Sequence, residues 1–377
     1  MAGTARHHVD DYSYIDRRIE SIGADDLAGP VRSLLGNPSA RVTAWRHAPV
    51  GYDFLNPSSG GVYRFEGDAE GAPWRLILKV TRSAEELEHH APLPPALAEA
   101  LATTIRWDRE LLAYETGFLA SLAGELVAAR CHGGARHDDG TGWLWLEEVV
   151  DEGDRAWSLE RWADVAHALG TFNGAYADAP PKHAWLGDHW LRVWVTQITP
   201  FSFGAALAPG PAWDEPEVRA AYPAPLRERL FALWADAERL ISAVERLPRT
   251  LAHLDSHRRN LFWSGGRVVV IDWGLLGLAA PGEEIASTLV GTVGSGEAPV
   301  EQARELADTL YESYVAGLRS AGWRGDERDV RAAYAVAAAL RSFAAVRFDV
   351  AAGEAFDRAA ALTAFLLDLG DEARTFF

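Results

Sequence analysis

Leu251-Ala252-His253-Leu254-Asp255-Ser256-His257-Arg258-Arg259-Asn260-Leu261-Phe262-Trp263-Ser264-Gly265-Gly266-Arg267-Val268-Val269-Val270-Ile271-Asp272-Trp273-Gly274 is the stretch from which the fold is read. Ser264-Gly265-Gly266 is turn chemistry between two apolar runs, Asn260 to Trp263 and Arg267 to Ile271, so the runs are expected to pair as a hairpin. With Trp263 facing Arg267, Asn260 faces Val270. Side chains alternate across a strand, which puts Asp272 on the face of Val270 and diagonal to Asn260, about 7–8 Å away. One cation can then touch both. An amide oxygen and a carboxylate are hard donors that suit Mg²⁺ and leave positions for water and phosphate oxygens. Asp255, in the loop five residues before Asn260, approaches the same place from the other side and can accept a proton from an attacking hydroxyl.

Taken singly, these residues have ordinary explanations, because an Asn opening a strand is commonly a turn residue and an Asp after a strand commonly caps a helix. Their conjunction points to phosphate chemistry. His253, Asp255 and His257 offer a second reading, since alternate residues on an extended segment share a face and can bind zinc, as in a metal-dependent hydrolase. That reading leaves Asn260 and Asp272 unexplained. His253 reads better as a hydrogen bonder that fixes the loop, and the pairs His7-His8 and His89-His90 as surface residues.

Working outward, the segment is an exception within a helical half. Leu226 to Leu247 repeats apolar residues at helical spacing until Pro248, and further helices are expected at Trp157 to Tyr176, Val300 to Ala321, Asp329 to Val346 and Ala351 to Leu369. The front half reads differently. A polar tail to about Asp25 precedes an amphipathic helix with Leu27, Val31 and Leu34 on one face and Gly36 as its stop. Val42 to Val50, Gly61 to Glu66 and Trp74 to Val80 follow as an antiparallel meander, and Ala128 to Gly133 and Trp143 to Val149 as a further strand pair. Between them Ser83 and Glu86 form a capping box, Pro92-Leu93-Pro94-Pro95 breaks the chain, and Trp107 to Leu122 reads as a helix carrying Glu110. The chain is thus an α+β protein: residues 1–147 form a strand-rich lobe and 148–377 a mostly helical one.

Of 36 basic residues only Lys79 and Lys182 are lysines, so the lysine inside the apolar run Trp74 to Val80 stands out as a compact point charge where arginine is otherwise the rule. A strand-end lysine reaching solvent is the ordinary alternative. The chain of 377 residues is 48% hydrophobic and 24% charged, a globular composition. No apolar stretch reaches the roughly 20 residues a bilayer requires, and Met1 to Glu20 lacks the apolar segment of a signal peptide, so a cytoplasmic protein without a membrane partner is expected. The net charge of −18 disfavours nucleic acid as a partner, and the single cysteine, Cys131, excludes an internal disulfide.

The His253 to Asn260 segment followed by Ile271-Asp272-Trp273 resembles the catalytic and metal-binding segments of the aminoglycoside phosphotransferase and choline kinase group, relatives of protein kinases. The resemblance implies a two-lobed protein-kinase-like fold, with an amino-terminal antiparallel sheet lobe holding one key helix and a larger helical lobe. It implies ATP and Mg²⁺ as cofactors, Asp255 as catalytic base or as the residue orienting the acceptor hydroxyl, and Asn260 and Asp272 as magnesium ligands. By the same resemblance Lys79 grips the α- and β-phosphates with Glu110 as its helix partner, and backbone groups of Glu147 and Val149 meet the adenine edge. Asn56 to Gly61 stands where protein kinases carry a glycine-rich loop, Asp272-Trp273-Gly274 replaces their Asp-Phe-Gly, and no activation segment follows. The acceptor implied is therefore the hydroxyl of a small molecule, an aminoglycoside-type antibiotic or a sugar or amino-alcohol metabolite. Its pocket is expected in the insertion from Asp151 to Pro225, with Trp185, Asp188, Trp190, Trp194 and Trp213. A nucleotide-binding protein of the same fold that has lost catalysis is the alternative.

Overall fold

Alternation along one strand organises the amino-terminal half: in Ala72–Arg82 the side chains of Trp74, Leu76, Leu78 and Val80 are buried on one face while Ile77 and Lys79 point to the other. A computed structural model describes residues 13–51, 58–90, 95, 98–99, 104–153, 156–346, 348 and 354–377. It divides into two units, residues 1–121 with 127–150 and residues 122–126 with 151–377.

In the first unit the strands β1 (Ala44–Pro49), β2 (Ser59–Ala69), β3 (Ala72–Arg82), β4 (Cys131–Arg136) and β5 (Thr141–Glu147) form an antiparallel sheet in the order β1-β2-β3-β5-β4. Two helices cover one face, α1 (Ser13–Glu20) and α2 (Ala24–Leu35), whose Ile15, Ile19, Leu27 and Val31 pack with Phe65, Leu76 and Trp145. Gly36 at φ 60° ends α2 at the expected stop, because its amide caps the carbonyls of Arg32 and Ser33 from a left-handed conformation. The reading of a polar tail to about Asp25 is corrected here: isoleucines at 15, 19 and 22 make one buried stripe in a segment whose net polarity hides it.

β3 leads into α3 (Ala84–His90), opened by the Glu86 amide donating to the Ser83 hydroxyl at 3.1 Å, and the other face of the sheet carries α4 (Arg109–Glu115). α4 is shorter than the expected run from Trp107 to Leu122, because Gly117 takes φ 71° and stops it. The turn Asn56-Pro57 and most of the proline-rich break lie outside the described residues, as do His7 and His8.

The second unit is mostly helical. Its long helices include α5 (Leu159–Ala175), α6 (Ala224–Val244), α7 (Glu283–Gly294), α8 (Ala303–Ser320), α9 (Glu327–Leu340) and α10 (Glu354–Ala373). Among the described residues no helix is long and apolar enough to cross a membrane. Four short strands interrupt the helices and hold the segment singled out above: β6 (Thr250–Ala252) pairs with β9 (Gly277–Ala279), and β7 (Leu261–Ser264) with β8 (Arg267–Val270).

Candidate active site

Lys79 of β3 and Glu110 in the first turn of α4 meet on the inner face of the first unit, Nζ to Oε2 at 2.5 Å. Their side chains are 12% and 2% exposed, so each charge depends on the other, since an unpaired ion in such a place is strongly unfavourable. Strand alternation points Lys79 away from the aliphatic face, to the side on which Leu144, its register partner, clusters with Leu111 and Leu146. The strand-end lysine reaching solvent is excluded. At the end of β5, the Glu147 amide donates to the Arg130 carbonyl at 2.9 Å and its carboxylate accepts from the Arg130 amide at 2.8 Å. The Glu147 N–H is therefore taken. The backbone of Val149, beyond the strand, has no hydrogen bond among the described residues, which leaves a donor and an acceptor on one residue.

In the second unit a buried carboxylate builds the loop around Asp255. Glu284, in the first turn of α7 and 0% exposed, accepts from the amides of His253 at 2.6 Å and Leu254 at 3.0 Å. Leu254 sits at φ 69°, a conformation a bulky residue avoids unless its surroundings impose it. The His253 ring is buried beside Trp273, and its two nitrogens have opposite roles: Nδ1 accepts from the Asp255 amide at 3.2 Å, so Nε2 is the donor to the Ile271 carbonyl at 3.0 Å. One imidazole thus ties the loop before Asp255 to the residue before Asp272. With both nitrogens engaged, His253 has no lone pair for a metal, and no cluster of three His, Cys, Asp or Glu suited to a metal ion occurs among the described residues. The zinc reading from His253, Asp255 and His257 is corrected accordingly.

The expected hairpin exists in another register. Ser264 pairs with Arg267, Trp263 with Val268 and Leu261 with Val270. Gly265 and Gly266 take φ 57° and 71°, which makes a two-residue turn of the kind that matches strand twist, whereas the sequence reading used a three-residue turn. Asn260 therefore lies opposite Ile271, whose amide donates to its carbonyl at 3.0 Å, and not opposite Val270. A one-residue slip would turn every later side chain to the wrong face, but strand geometry ends at both positions. Asn260 closes a 3₁₀ turn, Arg258–Asn260, and Asp272 leaves the strand at φ 62°.

What orients Asn260 is a contact the hairpin argument missed: its Nδ2 donates to the carbonyl of Asp255 at 2.9 Å and to Asp255 Oδ2 at 3.0 Å. Committing the amide nitrogen to Asp255 leaves the Asn260 oxygen as the group presented elsewhere. An amide oxygen so fixed, with the carboxylate of Asp272, is a hard-oxygen donor set that fits Mg²⁺. His257 flanks the pair, Nε2 3.6 Å from Asp255 Oδ1 and 3.4 Å from Asn260 Nδ2. Behind it, Gly291 of α7 has no room for a side chain, since a β-carbon there would lie 2.6 Å from that of His257.

Further residues hold the hairpin, and sequence reading passed them over. Arg258 pairs with Asp151, stacks on Trp157 at 3.8 Å and donates to the Leu261 carbonyl at 2.9 Å, while Asp151 Oδ1 accepts from the Trp263 amide at 2.8 Å. Asn173 of α5 donates to the Leu251 carbonyl at 2.9 Å and accepts from the Tyr314 hydroxyl at 2.5 Å. The one signal available was the charged pair Glu283-Glu284 opening an otherwise apolar helix. Of the aromatic residues expected to border a pocket, Trp185 and Trp213 are core: the first stacks on His183 and the second packs edge-on against Tyr222, Phe231 and Phe348. Asp188 is paired with Arg249 at 3.1 Å. Trp190 packs against the cluster of Ala252, Leu254 and Ala279, next to Asp255 in sequence, and its ring neighbours Trp194 at 6.1 Å. That tryptophan opens a single π-helical turn, Trp194–Ile198.

The model of the phosphotransferase enzyme family matches residues 57–325. None of the curated proteins matches the chain in sequence. Among solved structures, the microcompartment-associated aminopropanol kinase aligns over 97% of this chain and 98% of its own, with 15% identity and a TM-score of 0.53. The amicoumacin kinase hAmiN, solved in complex with AMP-PNP, Ca²⁺ and Ami, aligns over 86% and 88%, with 13% identity and a TM-score of 0.51. At such identities the likeness is one of fold.

Proposed function

Because the chain belongs to the phosphotransferase enzyme family, we propose that it transfers the γ-phosphate of ATP to a hydroxyl of a small molecule, an aminoglycoside-type antibiotic or a sugar or amino-alcohol metabolite. The observation that carries the reading is the clamp between Asn260 and Asp255, in which one amide nitrogen holds the acid while its oxygen is left for a cation. Asp255 accepts the hydroxyl proton, or orients the hydroxyl, as the oxygen attacks phosphorus. Asn260 and Asp272 would hold Mg²⁺, which when bound supplies positive charge against the phosphate oxygens. Lys79, kept in place by Glu110, neutralises the α- and β-phosphates, and the backbone of Val149 with the Glu147 carbonyl receives the adenine edge. No covalent bond to the protein forms. His253 and Glu284 take no part in bond making; they fix the loop so that Asp255 needs no reorganisation when the acceptor arrives.

The test is a screen of hydroxylated small molecules with Mg²⁺-ATP, read by the mass of the phosphorylated product, with Asp255→Ala beside the wild type. The variant is expected to retain nucleotide and to turn over ~10²–10⁴ slower, the usual cost of removing a positioned base. Normal turnover in Asp255→Ala would overturn its role. Nucleotide binding by the wild type without any product across a broad panel would favour the inactive nucleotide-binding protein.

A further inference from the structure

The amino-terminal helix α1 reaches the irregular turn with which β2 opens, Ser58 to Gly61, on the sheet face opposite Lys79. Gly60 is pressed against it: a β-carbon at that position would lie 2.6 Å from Val80 Cγ1 and 3.1 Å from Ile15 Cδ1. One residue on, Gly61 takes φ 111° beside the ring of Tyr63, and the Tyr63 hydroxyl donates to Asp16 Oδ1 of α1 at 2.9 Å. The ladder between β2 and β3 is irregular at this point. It shifts between Ser59 and Gly61, then resumes with Gly61 opposite Val80 and Val62 opposite Lys79. A bulge leaves backbone unpaired and free to bend, so its position must be set by something other than the ladder. Here the Ser58 carbonyl accepts from the Arg82 amide at 2.8 Å and the Gly61 amide donates to the Ser59 hydroxyl at 3.3 Å, while Gly60 between them is backed by α1.

The helix has a second anchor away from the turn. Arg18 is paired with Asp139, donates to the Thr141 hydroxyl at 3.0 Å and lies over the Trp143 ring at 4.8 Å. Ile15 and Ile19 are both buried in the core of the sheet. Loss of the Tyr63 contact alone therefore leaves α1 docked. The contact is then a tether on the turn, not a condition for folding of the helix.

Resting on the phosphotransfer reading, we propose that Asp16 and Tyr63, with Ile15 behind Gly60, are positioning residues for the donor nucleotide: they hold the backbone of Ser58 to Gly61, beside Lys79, where it meets the phosphates of ATP. The side chains themselves touch no phosphate, since they lie on the face away from Lys79. Their effect runs through the backbone of the turn, so it is specific for the phosphate end of the ligand and absent for its adenosine end.

The experiment measures binding of AMP-PNP with Mg²⁺, and of adenosine, by calorimetry to the full chain and to Tyr63→Phe, Asp16→Ala and Asp16→Asn. Tyr63→Phe and Asp16→Ala are expected to weaken AMP-PNP about 3–10-fold, the loss of one hydrogen bond expressed as affinity, and to leave adenosine unchanged. Asp16→Asn keeps an acceptor oxygen for the phenol and is expected to bind AMP-PNP as the wild type does. Equal weakening of adenosine and AMP-PNP, unchanged AMP-PNP affinity in Tyr63→Phe, or a loss in Asp16→Asn as large as in Asp16→Ala would each overturn the inference. A wild type that binds neither AMP-PNP nor adenosine would instead remove the donor-site reading on which it rests.

Discussion

Replacing Glu284 by Ala removes the carboxylate on which the loop before Asp255 is built. Two amides, those of His253 and Leu254, then remain in a fully buried place without acceptors. Each such donor costs about 1–3 kcal/mol, so the loss is about 2–6 kcal/mol, with ~4 kcal/mol as its centre. For a unit the size of residues 151–377, a kcal/mol moves the melting temperature by about 2–4 °C, which makes the expected fall ~8–16 °C. Glu284→Gln keeps one acceptor oxygen and should lose roughly half as much, ~2 kcal/mol. Differential scanning calorimetry reads the stability, and hydrogen exchange at His253 and Leu254 reads the cause, since these amides should lose protection while α6 keeps its own. Leu254 at φ 69° is expected to relax once its amide is released, carrying Asp255 with it. A melting temperature within 2 °C of the wild type, together with unchanged protection of both amides, would refute the reasoning.

Lys79→Ala leaves the Glu110 carboxylate buried without its cation and is expected to destabilise the first unit by about 3–5 kcal/mol, read by urea unfolding, with the Lys79→Ala/Glu110→Ala double variant less affected than the sum of the single ones. Gly291→Ala should push His257 out of place, because the new β-carbon falls 2.6 Å from that of His257; a lower kcat with an unchanged circular dichroism spectrum is the expected signature, and an unchanged kcat would count against a role for His257 beside Asp255 in the proposed reaction. Burial holds the imidazoles of His132 and His137 below their ordinary range, with Arg18 lowering His137 further. The unfolded chain therefore binds their protons first, so the stability they contribute is complete above the ordinary value of about 6.5 and is lost as pH falls through the folded values. The melting temperature of the wild type should drop between pH 7 and 5 more steeply than that of His132→Gln/His137→Gln; parallel curves would exclude both imidazoles as the source.

Residue type and spacing singled out the side chains to which the proposed chemistry is assigned, because phosphate transfer requires few groups and the candidates stand close in sequence: Asp255, Asn260 and Asp272 fall within 18 residues, and Lys79 is conspicuous in a chain that otherwise prefers arginine. Period also fixed the helix α6 and the sheet strands β2 and β3, whose buried faces repeat as the sequence does. Periodicity could not set the hairpin register, which turned on whether Ser264 belongs to the turn or to the strand; φ angles at Gly265 and Gly266 decided for the strand. Nor could local pattern find the supports. Glu284 lies 29 residues beyond Asp255, Asn173 meets Leu251 from α5, and Asp16 reaches Tyr63 across the sheet face. A buried polar group is satisfied by whatever the folded chain brings to it, so its partner carries no mark of its own in sequence, and only the tertiary structure pairs the two.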